Sequence, residues 1–84
     1  MGSEKINEPV SVSFLSDCRT HRIVPMRFLW KGRDFRVDQV GLHHVFTQGD
    51  ILYHVFSVVS GAAYFRLVLN TYTLLWRLEE VGSE

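Results

Sequence analysis

The stretch ILYHVFSVVSGAAYFRLVL, Ile51 to Leu69, decides the fold. Its apolar residues alternate with others instead of recurring at helical spacing, and Ser60-Gly61 breaks the run with a turn pair. With Ser60-Gly61 as a two-residue hairpin loop, Val59 faces Ala62, Phe56 faces Phe65, His54 faces Leu67 and Leu52 faces Leu69. A second turn signal follows at Asn70 to Thr73. As a four-residue loop it sets Leu69 opposite Leu74, Leu67 opposite Trp76 and Phe65 opposite Leu78. The two turns, placed independently, send one set to a common face: Leu52, Phe56, Val58, Ala63, Phe65, Leu67, Leu69, Leu74, Trp76 and Leu78. The other face receives Tyr53, Ser57, Tyr64, Arg66, Arg77 and Glu79. A slip of one residue would turn the whole apolar set to solvent, so this agreement argues for the register.

The same alternation extends toward the N-terminus. Pro9 to Leu15 places Val10, Val12 and Phe14 on one side and serines on the other. Met26 to Lys31 places Met26, Phe28 and Trp30 together. Lys31-Gly32-Arg33-Asp34 forms a tight turn into a long strand, Phe35 to Thr47, which turns back at Gln48-Gly49-Asp50. A three-residue turn at Gly49 puts Val40, Leu42, His44 and Phe46 on the apolar face. A two-residue turn puts Gln39, Gly41 and His43 there, so the three-residue form is preferred. Phe35 and Val37 pair with Phe28 and Trp30, with parity opposite to Val40, Leu42 and Phe46. A bulge between Asp38 and Gly41 reconciles the two.

The predicted fold is therefore all-β. It is a six-stranded antiparallel meander, strongly curled or forming a small, partly open SH3-like barrel, with a flat dimerising sheet as the alternative. Residues 1–8 read as a flexible N-terminal segment and residues 9–84 as a single β domain.

At 84 residues with 46% hydrophobic residues and balanced formal charge, the composition is that of an ordinary globular domain. The balance argues against a dedicated polyanion binder, although Arg19, Arg22, Arg27, Lys31, Arg33 and Arg36 face only Asp34 between positions 19 and 36. The single cysteine, Cys18, leaves no intrachain disulfide and fits a cytoplasmic location. The uncharged run from Ile51 to Phe65 is shorter than a bilayer span, so no membrane partner is expected.

Few residues suggest chemistry. His44 and His54 share a face in the preferred register, near enough for a common metal ion, with Cys18, His21 and Asp38 as the only further ligands in reserve. His43 points the other way. Two half-buried histidines at a sheet edge explain the same pattern without a metal, and no cofactor is implied. Cys18 has Arg19 and His21 nearby but no third group to orient them as a catalytic unit. Glu79 and Glu80 fall on opposite faces of a strand and form no carboxylate pair.

The basic residues carry more. Arg27, Lys31, Arg33 and Arg36 gather at the Gly32 hairpin. Arg66 and Arg77 face each other across the last hairpin beside Tyr64, with Tyr53 near. Cations interleaved with aromatic rings suit single-stranded nucleic acid or an acidic partner, and a solvated face balanced by Glu79 is the plainer account. Ile51, Tyr53, Val55, Val68 and Leu75 lie on the outer face, which calls for closure of the barrel or for a two-fold homodimer.

The segment Pro25 to Val37, with Phe28, Trp30, Gly32, Arg33, Phe35 and Val37, resembles a group of small bacterial proteins of unknown function. Their pattern is roughly F-x-W-x-G-R-x-aromatic-x-V, followed by an aromatic strand (Tyr53 to Phe56), a Gly turn, Tyr64 to Leu67 and a final W-x-L (Trp76 to Leu78). The resemblance spans about residues 25–81 and rests on structural motifs. It implies an all-β fold, a nucleic-acid context through the association of some such proteins with DNA-repair polymerase-like genes, and no catalytic residues. The expectation is thus a non-enzymatic interaction module, self-associating as a homodimer and contacting a protein or nucleic-acid partner. A small metal-binding protein or enzyme using His44 and His54 is the alternative.

Overall fold

A computed structural model describes residues 2–83 and contains seven strands. They are β1 (Gly2–Asp17), β2 (Arg22–Trp30), β3 (Arg33–Arg36), β4 (Gln39–Gln48), β5 (Ile51–Ser60), β6 (Ala63–Asn70) and β7 (Leu75–Ser83). All neighbours are antiparallel, in the order β3-β2-β1-β7-β6-β5-β4. The all-β, strongly curled meander is as predicted, but with seven strands in place of six.

The additional strand comes from splitting the long third strand of the sequence reading. Val37 N–H still donates to Met26 O on β2 (2.9 Å), whereas Asp38 N–H donates to Val59 O on β5 (2.8 Å). One chain segment thus leaves one edge of the sheet and joins the other within two residues. The ladder does not close into a barrel. The sheet curls until its outermost strands, β3 and β4, meet end to end. The Asp38 carboxylate fixes this corner by accepting Gly61 N–H at 2.8 Å.

β1 makes the opposite corner. Gly2 to Val10 pair along β7, and Ser11 to Asp17 pair along β2. Residues 2–8, expected as a loose segment, are therefore strand, held by a partner whose own polar edge needed pairing. The second half of β1 with β2 and β3 folds over the five strands from the first half of β1 to β4. Phe28 meets Phe65 inside the curl, joined by Phe56, Val58, Leu67, Leu69, Trp76 and Leu78.

The predicted core face is right in kind and shifted in detail. Phe56 pairs with Leu67 and Leu69 with Trp76, each two residues from the expected register. An even slip preserves the face, so the core set survives. The slip leaves Leu52 (38% exposed) and Leu74 (65% exposed) beyond the covered region. Met26 is exposed as well, because the ladder shifts opposite Ser13 and Phe14 and buried Pro25 takes the inner place.

The Gly49 turn departs from the expected form. Gln48 pairs with Ile51, so the loop has two residues, and Gly49 holds φ 63° where a side chain would be strained. The expected bulge is present between Val40 and Leu42, with Gly41 as the extra residue. It brings Val40 to the core while the rest of β4 keeps the two-residue parity.

Candidate functional site

The parity of β4 reassigns the histidines. His43 pairs with Phe56, and His44 pairs with Val55 on the outer face. His44 and His54, expected to share a face, do not. His43 and His54 do: His43 Nε2 lies 2.8 Å from His54 Nδ1, and their rings stack with centroids 5.1 Å apart. The His43 ring also stacks on Phe56 at 4.2 Å. Loss of water lowers the basicity of both imidazoles. For His43, the neighbouring His54, His44 and Arg22 act in the same direction. Among the described residues no group of three metal-ligating side chains forms, and Cys18, His21 and Asp38 do not join the pair.

This pair sits on an unusual edge. β4 is hydrogen-bonded on one side only, by β5. From Gln39 to Gln48 it has no lysine, arginine, aspartate, glutamate or proline. Leu42 is 60% exposed, Val45 50% and Phe46 41%. Phe46 stacks on Tyr53 across the outer face at 4.9 Å. At the open end of the inner face, Phe14 also keeps much of its ring in water while packing on Trp76 at 5.5 Å. Trp76 Nε1 is buried without a hydrogen-bond partner, in contrast to Trp30, whose Nε1 donates to Glu8 at 3.0 Å.

The basic residues divide differently from the sequence reading. Arg66 and Arg77 do not face each other: Arg66 pairs with Glu80 and Val68 with Arg77. The ladder shifts between Arg66 and Leu67, and this brings both Glu79 and Glu80 to Arg66, at 3.5 and 3.4 Å. The two glutamates therefore share one guanidinium, contrary to the expectation that they diverge. Arg77 donates to the carbonyl of Asn7. Tyr64 lies over Gly82, its cross-strand partner.

The Gly32 hairpin does hold a cationic pair. Arg27 is directly opposite Arg36, with Ser13 opposite Arg27 on the next strand. Asp34 neutralises one of the two, at 3.5 Å from Arg27. Lys31 and Arg33 instead cap their own aromatic neighbours, Trp30 at 5.0 Å and Phe35 at 5.1 Å. Those two rings are thereby partly taken from any base that would stack there.

No helix of the described residues is long and apolar enough to cross a membrane. Comparison of the chain with protein families, curated proteins and solved structures finds no match. Functional residues therefore rest on the geometry alone.

Proposed function

We propose that this chain is a non-enzymatic interaction module that self-associates through the free edge of β4. The supporting observation is the edge itself: paired on one side, uncharged along its length, and bearing exposed Leu42, Val45 and Phe46. Free strand edges are ordinarily blunted with lysine, proline or inward charge, because their open N–H and C=O groups invite another strand. β4 has none of these. Its bulge lies at Gly41, at the start of the strand, and leaves Leu42 to Gln48 regular. A second copy fits best. Antiparallel pairing of β4 with itself satisfies both backbones about a two-fold axis, and an uncharged strand meets no repulsion from its own image.

The test is molar mass in solution as a function of concentration. Dimer-sized mass is expected for the native chain and monomer-sized mass for Leu42→Lys, whose site is exposed enough to leave the fold unchanged. A native chain that stays monomeric at high concentration overturns the reading.

A nucleic-acid contact is a second reading, supported by Arg27 opposite Arg36 with a single carboxylate, that of Asp34, set against Arg27. Directly opposed like charges repel, and a phosphate relieves them. The contact predicts a salt-sensitive shift of single-stranded DNA that Arg36→Glu abolishes, and no shift at low salt removes it. Arg66 and Arg77, already paired to protein groups, are secondary here.

A further inference from the structure

We infer that the β4 seam is acid-sensitive: the His43–His54 pair holds the strand in its pairing-competent form while neutral and drives two copies apart once protonated. This rests on self-association through β4. Its basis is where the two rings lie and what surrounds them.

The N···N contact needs one ring to donate and the other to accept. A first proton is compatible with that bond, since an imidazolium still donates to a neutral imidazole. A second proton removes the acceptor, so the bond is lost and two like charges remain in contact. The pair therefore titrates as a unit, with the first step tolerated and the second disruptive.

The surroundings offer little to stabilise the charge. On β4 the remaining titratable group is His44, one residue along on the opposite face. On β5 the other titratable group is Tyr53, one residue from His54 on the opposite face and stacked on Phe46, and the residue facing His54 from β6 is Leu69. From the start of β2, Arg22 adds to the positive field at His43, and Arg22 itself pairs in register with Asp17 on β1. Asp50, in the β4–β5 turn, is the one carboxylate of the hairpin. Between residues 39 and 60 the charge is thus −1 with neutral histidines and +2 when His43, His44 and His54 are all protonated. Each copy brings the same change to the seam, so repulsion rises on both sides at once. Docking also strips water from histidines that are already harder to charge than free imidazole.

The test follows association by sedimentation from pH 7.5 to pH 5, with near-ultraviolet circular dichroism at every point, on the native chain and on His43→Gln and His54→Gln. The native dimer is expected to weaken at least tenfold toward pH 5 with its dichroism unchanged, and both variants to show a flatter dependence. A dimer of constant affinity across the range overturns the gate and leaves self-association standing. A dimer lost only in step with the dichroism overturns it too, because unfolding then accounts for the dissociation. A chain that is monomeric at pH 7.5 overturns both readings together.

Discussion

Phe28 meets Phe65 edge-on, with ring centroids 5.0 Å apart, although three strand-to-strand steps separate their strands around the sheet. The contact crosses the interior of the curl. Phe35 reinforces it, lying 5.1 Å from each ring. The fold over of β2 and β3 thus rests on a small aromatic cluster. Phe28→Ala is expected to cost about 3–5 kcal/mol, which is most of the stability of a domain this small. Urea unfolding measures it, and a midpoint close to that of the native chain contradicts this role for Phe28.

Tyr64 and Gly82 are cross-strand partners, and a Cβ on Gly82 would stand 2.5 Å from the Tyr64 ring. The glycine makes room for the ring, so its role here is steric. Gly82→Ala is expected to destabilise by about 1–3 kcal/mol, the usual range for overpacking. In a Tyr64→Ala background the same change is expected to cost less than about 0.5 kcal/mol. A double-mutant cycle measures the coupling, and equal costs in both backgrounds contradict it.

The corner between β3 and β4 yields a contrast. Asp38→Ala removes the acceptor for Gly61 N–H and is expected to cost about 1 kcal/mol. Gly41 sits in the bulge without a left-handed φ, and a Cβ there would lie 3.6 Å from Ser57 O, an ordinary contact. Gly41→Ala is accordingly expected to stay within about 0.5 kcal/mol of the native chain. Thermal unfolding of the two variants side by side checks the order of the effects.

Stability is expected to fall in two steps on acidification. His43 and His54 bind protons less readily folded than at their ordinary value of 6.5, so below that pH the unfolded chain takes up more protons and folding weakens. Above it their contribution is fully present. Glu80 acts lower. The Ser3 hydroxyl first, and then Arg66 and Lys5, hold its carboxyl below its ordinary 4.5, so its contribution is present above that value and lost beneath it. His54→Gln is expected to shrink the upper step and leave the lower one. Unfolding midpoints measured from pH 8 to pH 3 separate them, and a single step near pH 4 contradicts the histidine part.

Much of this architecture is legible in the alternation between Leu52 and Leu78, because turn errors of two residues leave side chains on their proper faces. Parity at β4 is where the reading fails. The sequence favours the turn that buries Leu42 and Phe46, and these residues are in fact exposed along the edge. The positive φ at Gly49, at the first position of a two-residue loop, is the signal that identifies His43 in place of His44. The expected facing of Arg66 and Arg77 fails for a related reason: an irregularity beside Glu79 cannot be seen in a pattern that assumes a regular ladder. The strand at residues 2–8 has no apolar alternation to reveal it, being held by the backbone of β7.

The most direct measurement is amide hydrogen exchange along Leu42 to Gln48, compared between dilute and concentrated protein at neutral pH. Self-pairing predicts that the outward N–H groups of this strand gain protection as concentration rises, while β5 and β6 change little. Exchange along Leu42 to Gln48 that is fast and independent of concentration contradicts a second copy on this edge.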